Sequence, residues 1–262
     1  TNAFSPSSST KFIMAKLTIA YSTLASRIGN IQFPTTEHEI LVLVQNQNGQ
    51  EYSTQTSNGN KTVVAIPGIG VAKSRNHAVA LANTEYLLFA DDDVEFHCSQ
   101  IGDAIALMDA DPDCVLLLLS ADDGRGSPRK NYPKNNRRLS KFNSARAATY
   151  EILIRVPKVL ELGVKFDEDF GAGVENYLGD EYIFIADLID QGAKCIFSPI
   201  FIASHPRNSS GLFWGSSNDR IARAKIFTRV FGRWAPAIRL AFGLRRFREI
   251  GVSNVLSFVF GR

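Results

Sequence analysis

The chain has 262 residues, 45% of them hydrophobic and 21% charged, with a net charge of +3, which is enough to bury a sizeable core and ordinary for a globular protein. No apolar run reaches the ~18 residues needed to cross a bilayer as a helix. Cys98, Cys114 and Cys195 are odd in number, far apart and without a C-x-x-C, which suggests neither a disulfide framework nor a zinc site and fits a reducing, cytoplasmic setting.

In chain order, "TNAFSPSSSTKF" is Ser-rich and has no basic stretch leading into an apolar one. Residues 1–14 therefore read as a flexible leader rather than a secretory signal. "KLTIAY" (16–21), "ILVLV" (40–44) and "TVVAIP" (62–67) read as strands, and "GVAKSRNHAVALAN" as a helix with Val71, Ala78, Val79 and Ala82 on one side. "EYLLFA" (85–90) and "CVLLLLSA" (114–121) are further strands, separated by a helix over 100–110. Continuous rather than alternating apolar strands, with helices between them, predict an α/β fold with a mostly parallel sheet covered on both faces. Residues 124–146 carry eight Lys or Arg and no acid, with two Pro among Asn and Ser. This stretch reads as a loop, fit for a lid or for contact with an acceptor phosphate, and equally as solvated chain. "TYEILIRVP" reads as a strand, "GDEYIFIADLIDQG" (179–192) as a helix closed by Gly192, and "AKCIFSPIFIASHP" as a strand ending at His205.

The stretch "EYLLFADDDVEFH" ends a buried strand on Asp91, Asp92 and Asp93. Adjacent carboxylates raise one another's cost of ionisation unless a cation is present. In parallel sheets ligands bind at the carboxyl ends of strands, where this triplet falls. Mg²⁺ and Mn²⁺ take hard oxygen ligands, typically one or two carboxylates completed by phosphate and water. A strand-end acidic cluster therefore suits a divalent ion bridging to a diphosphate.

"GIGVAKSRNHAVALANTEYLLFADDDVEF" resembles the nucleotide-sugar half of inverting GT-A glycosyltransferases of the family 2 type, and "FDEDFGAGVENYLGDEYIFIADLIDQGAKCIFSPIFIASHP" is similar to their acceptor half. The resemblance covers roughly residues 15–206 and implies a GT-A domain over 15–215. It implies that Asp91 faces the ribose or the metal's water shell, that Asp93 ligates the metal with Asp92 flanking, and that His205 is a third ligand or a diphosphate contact. In "GDEY" it implies the base that takes the acceptor hydroxyl's proton. Glu181 falls in register, and Asp180 is close enough to substitute. Thr23, Arg27, Arg75 and Asn76 match nucleotide-sugar positions. Where the family often ends its second strand on an Asp, this chain has Gln45 and Asn46, which could hydrogen-bond a base edge. The implied donor is a nucleotide-diphosphate sugar, most commonly a UDP-sugar, and the acceptor a saccharide or lipid-linked molecule; nucleic acid is not an expected partner.

Two other enzyme classes fit less well. The G-x-G of "GIGVAK" has Lys73 where a dinucleotide fingerprint needs its third Gly. A sugar-phosphate nucleotidyltransferase would open with a Gly-rich phosphate loop, which "YSTLASRIGN" is not. A non-catalytic reading also stands, as a basic protein binding nucleic acid or a membrane surface on the same fold.

From Asp219 to Arg262 there are 10 Lys or Arg against 2 acids, or +8, so the first 218 residues carry −5. Residues 216–262 read as a basic helical extension. In "PAIRLAFGLRRFREIG", Leu240, Leu244 and Phe247 form an apolar stripe, with Arg239, Arg245, Arg246 and Arg248 over the remaining surface. Such a helix either lies on an anionic membrane, as a peripheral protein at the inner face of the plasma membrane would, or packs on the domain beside it. "FGRW" has Val230 where the Q-x-x-R-W of processive polysaccharide synthases needs Gln, which favours addition of single sugars.

Overall fold

The apolar runs fold as strands of one twisted sheet in the computed structural model, which describes residues 16–46, 56–205 and 216–261. The leader 1–14 lies outside these residues. In chain order the elements are β1 (Leu17–Leu24), β2 (Glu39–Asn46), β3 (Thr56–Asn58), β4 (Lys61–Pro67), α1 (Val71–Leu81), β5 (Tyr86–Asp91), β6 (Glu95–Phe96), α2 (Cys98–Ala110), β7 (Cys114–Asp122) and β8 (Arg137–Arg138). Then follow β9 (Ile152–Arg155), α3 (Val156–Leu162), α4 (Asp180–Asp190), β10 (Lys194–Ser204), α5 (Ser217–Phe231), α6 (Ala235–Arg245), α7 (Phe247–Ile250) and α8 (Val252–Phe260).

The strand order is β3-β4-β2-β1-β5-β9-β7-β10-β6, with β8 paired to β10. β4, β2, β1, β5, β7 and β10 point the same way, so their carboxyl ends share one edge. Register aligns that edge: Ser22 stands beside Asp91 and Leu24 beside Gln45. Two apolar layers cover the sheet. One joins Ala72, Ala78 and Val79 of α1 to Phe184, Ile185 and Leu188 of α4, with Phe166 stacked on Phe184 at 4.1 Å. The other seats Ile101, Ala104 and Met108 of α2 beneath Leu17, Ile19 and Tyr21. Burial on both faces is why these strands read as unbroken apolar runs.

Two expectations change. "TYEILIRVP" is strand only over Ile152–Arg155, preceded by a 3₁₀ turn at Thr149–Glu151, and β9 is antiparallel to both its neighbours. The chain re-enters the sheet between β5 and β7 with no α-helix on the way from β7, whereas a parallel strand would need a crossover connection.

The basic stretch 124–146 is not a loose lid. Leu139 is buried and its N–H donates to Cys195 O at 2.8 Å; Lys130 Nζ reaches both oxygens of buried Glu151, at 2.9 and 2.8 Å. Glu151 also accepts from Tyr132 Oη at 2.6 Å. A buried carboxylate with these partners anchors the loop to the body.

The C-terminal helices join the body through α5, whose Ile226 and Val230 pack with Tyr182, Ile183 and Ala186 of α4. Phe227 and Phe242 pack with Val255, Phe258 and Val259, tying α6 and α8 to α5. Arg239 departs from its expected surface place: it is buried and donates Nη1 to Ala224 O at 3.3 Å. Leu240, Leu244 and Phe247, by contrast, are exposed. Among the described residues no helix is long and apolar enough to cross a membrane.

Candidate active site

The strand ends open into a cavity of about 780 Å³. It is lined by Thr23 near the end of β1 and Arg27 after it, Gln45 from β2, Arg75 from α1, Asp91 at the end of β5 with Asp92 and Asp93 after it, Asp180 and Glu181 at the start of α4, and His205 after β10. Residues spread over 180 positions of sequence thus meet on one face, at the edge where an open α/β sheet binds ligands.

Arg75 organises the centre. It is buried and pairs with Asp180, with Glu181 Oε1 at 3.5 Å and with Asp91 Oδ1 at 3.4 Å. Burial opposes its charge, but the three carboxylates outweigh burial and raise its pKa further. Asp180 is buried as well. Burial and the neighbouring Glu181 push its pKa up, against the pull of Arg75. Glu181 goes the other way. Burial works against its charge, but Arg75 and a 2.6 Å hydrogen bond donated by Thr149 Oγ1 hold its carboxyl below the ordinary value. The two acids are thereby split in direction, Asp180 upward and Glu181 downward, as expected of two carboxyls that share one guanidinium. Glu181 keeps 21% of its side chain exposed against 4% for Asp180. Glu181 is thus the more acidic of the pair and the more open to the cavity.

The three aspartates play different parts. Asp92 is buried, accepting from Thr23 Oγ1 at 2.7 Å and from Arg27 Nη2; it ties the loop after β1 to the loop after β5. Asp91 leans toward Arg75, its pKa raised by burial and by Glu181 and Asp93. Asp93 faces outward, its Oδ1 3.2 Å from His205 Nε2, and this contact lowers its pKa. Asp93 and His205 supply one oxygen and one nitrogen donor. That pair suits Mn²⁺ better than Mg²⁺, provided diphosphate and water complete the shell. Among the described residues no group of three or more His, Cys, Asp or Glu is arranged to hold a metal unaided.

Gln45 is half committed: its Oε1 accepts from Gly70 N–H at 2.9 Å at the start of α1. Asn46 ends β2, and its side chain falls outside the described set. Asn76 does not line the cavity. Its amide closes a pair of hydrogen bonds with the backbone of Phe166, at 2.8 and 2.9 Å, which fixes the segment leading to "FGAG". An α1 residue one position past Arg75 points about 100° away from it, so Arg75 and Asn76 cannot both face the site.

Several lining residues lay beyond sequence reasoning. Thr149 and Tyr150 sit in a turn that reads as strand. Arg223, Ile226 and Phe227 of α5 and Phe242 of α6 close the far side of the cavity, so the C-terminal helices form part of its wall.

Residues 37–159 match the model of the family described as Glycosyl transferase family 2. The match takes in the Asp triplet and ends before Asp180, Glu181 and His205. Among solved structures, S. aureus TarS 1-349 in complex with UDP-GlcNAc is similar at 16% identity, over 89% of this chain and 73% of that one, with a TM-score of 0.58. The same TarS fragment in complex with UDP is similar at 17% identity, over 89% and 72%, with a TM-score of 0.56. A longer S. aureus TarS structure is similar at 16% identity and a TM-score of 0.58, over 92% of this chain but 45% of its own. No curated protein matches the sequence. The fold is that of the GT-A glycosyltransferases, and the stretch that matches the family 2 model is a little under half of the chain.

Proposed function

We propose that the protein transfers a single sugar from a nucleotide-diphosphate sugar to an acceptor hydroxyl, with inversion and with the help of a divalent ion. The observation that carries this reading is Glu181: a carboxyl held by Arg75 and Thr149, open to the cavity that Asp91 and Asp93 also line. Glu181 accepts the acceptor's proton as that oxygen attacks the anomeric carbon, and Arg75 and Thr149 hold it in place. Asp93 and His205 would hold the ion, which when bound neutralises charge on the departing diphosphate. Thr23, Arg27 and Gln45 frame the nucleoside end.

A UDP-sugar is the favoured donor, supported by the TarS structures, which hold UDP-GlcNAc and UDP on a similar fold. A saccharide or lipid-linked acceptor is supported by the apolar wall of Ile226, Phe227 and Phe242. The exposed apolar and basic residues of α6–α8 support a peripheral place at an anionic membrane, consistent with assembly of surface polysaccharide or glycolipid.

The test is hydrolysis or transfer from a panel of UDP-sugars with and without Mn²⁺. Glu181→Gln should lower kcat by about 10²–10⁴-fold while nucleotide binding persists, and Asp93→Ala should abolish the metal response. Unchanged turnover in Glu181→Gln would remove the proposed base.

A further inference from the structure

The cavity wall carries a cation, Arg129, that the reading above does not use. Arg129 lies in the basic stretch between β7 and β9, and its backbone N–H donates to Ala121 O at 3.0 Å, fixing it beside the end of β7. Its guanidinium carbon stands 5.6 Å from the centre of the Tyr150 ring. Tyr150 in turn stacks on His205, with centroids 4.8 Å apart and planes 16° from parallel. His205 meets Asp93 at 3.2 Å. Guanidinium, phenol, imidazole and carboxylate thus form a continuous column, and all four residues line the cavity.

The nearby acid does not answer this charge. Glu151 is saturated by Lys130, by Tyr132 Oη and by the Ala148 N–H at 3.0 Å. Lys130, the adjacent cation, is spent on Glu151 and on Arg146 O at 2.7 Å. Arg129 Nε is buried and has no hydrogen-bond partner, and neither has Tyr150 Oη at the centre of the column. A half-buried guanidinium with unmet donors calls for an anion, and its planar fork matches phosphate.

We infer that Arg129 is a catalytic residue of the donor site, binding the terminal phosphate of the nucleoside diphosphate and stabilising it as the leaving group. Tyr150 is a positioning residue, packed between Arg129 and His205 and holding both toward that phosphate. The column adds a fixed positive charge to a site in which Asp93 and His205 alone offer few metal ligands. As the glycosidic C–O bond breaks, its electron pair passes to the diphosphate oxygen, and the guanidinium is aimed at that developing charge. This inference rests on the donor reading above.

The experiment is calorimetric titration of the full chain with UDP and UMP, repeated with GDP, GMP, dTDP and dTMP. Arg129→Met keeps the apolar stem over Tyr150 while removing the charge. It should weaken diphosphate binding about ten- to a hundredfold and leave monophosphate binding unchanged, and Arg129→Lys should recover part of the loss. A parallel measurement needs no variant: UDP, but not UMP, should protect Arg129 of the wild-type chain from phenylglyoxal, read by peptide mass spectrometry. Equal diphosphate-to-monophosphate ratios in wild type and Arg129→Met, or unprotected Arg129 in a UDP-bound protein, would overturn the inference. So would a variant that loses only acceptor affinity, which would place an acceptor phosphate there instead. If the wild type binds none of the nucleoside diphosphates, the donor reading itself fails, an outcome separate from these.

Discussion

Thr149 donates its hydroxyl to Glu181 Oε1 at 2.6 Å, across a sequence separation of 32 residues. The bond joins the turn before β9 to the first turn of α4, and it favours the ionised form of the carboxylate it touches. With Arg75 it holds Glu181 below its ordinary pKa against burial. A base that must be ionised then loses activity only as pH falls below the ordinary Glu value of about 4.3. Thr149→Val keeps the shape and removes the donor. A hydrogen bond to a charged group contributes about 1.5–3 kcal/mol, so the acid limb of kcat should move up by roughly one to two pH units. The stability linkage has the same sign. A depressed carboxyl pKa stabilises the fold above the unfolded value, and that gain is lost as pH falls through the folded value. The difference in Tm between wild type and Thr149→Val should therefore shrink on acidification. A pH–rate profile and melting curves at several pH values measure both; an unmoved acid limb would detach Thr149 from the base.

Asn76 and Arg75 are neighbours in sequence and part company in space. Asn76→Ala removes two hydrogen bonds to the Phe166 backbone and leaves that backbone unpaired. The expected cost is about 1–3 kcal/mol for each buried group left unsatisfied, seen as a lower denaturation midpoint. Donor KM should hold steady below the melting transition. A large rise in donor KM with unchanged stability would return Asn76 to the nucleotide site.

What the sequence could and could not reveal follows from these same residues. The strand ends were legible because doubly buried strands are apolar throughout and break abruptly at Asp91, Gln45 and His205. Asp180 and Glu181 were legible because they open a helix after a Gly-rich segment. Asp92 could not be told from Asp91 and Asp93, because its role depends on Thr23 Oγ1, 69 residues away. Thr149, Tyr150 and Arg129 carry no local signal. Their placement follows from the antiparallel insertion of β9, a pairing over long range that periodicity does not encode. The stripe Leu240–Leu244–Phe247 was visible as a pattern, but only the packing of α5, α6 and α8 shows that it faces outward.

Gly179 precedes Asp180 with φ +95°, and a Cβ there would press on Ile226, 2.7 Å from Cγ1. Ile226 belongs to α5, so this glycine sets how closely the C-terminal helices approach the turn that carries Asp180 and Glu181. Gly179→Ala combines a backbone penalty of about 1–3 kcal/mol with a similar cost of overpacking. It should lower both stability and kcat, because α4 carries Glu181. Ile226→Ala in the same chain should recover part of the loss, a coupling that a double-mutant cycle measures. Additive effects would mean that α5 does not bear on the base.

Leu240 and Leu244 on α6 and Leu256 and Phe260 on α8 are exposed at i, i+4 spacing on helices packed against each other, with Phe247 and the exposed Arg245 and Arg248 between them. Removing residues 219–262 would be a poor test of membrane docking, because it would also strip Arg223, Ile226, Phe227 and Phe242 from the cavity. Surface substitutions separate the two roles. Each basic residue near an anionic surface contributes about 1 kcal/mol, so Arg245→Ala with Arg248→Ala should weaken binding to phosphatidylserine vesicles by about 2 kcal/mol, roughly thirtyfold. Leu244→Glu with Leu256→Glu should abolish it, by placing charge where the bilayer would receive apolar side chains. Both pairs should leave donor hydrolysis intact, since none of the four residues lines the cavity. Vesicle sedimentation across a salt series reads the outcome. Equal binding to neutral and anionic vesicles, or wild-type binding by Leu244→Glu/Leu256→Glu, would show that this surface does not meet the membrane.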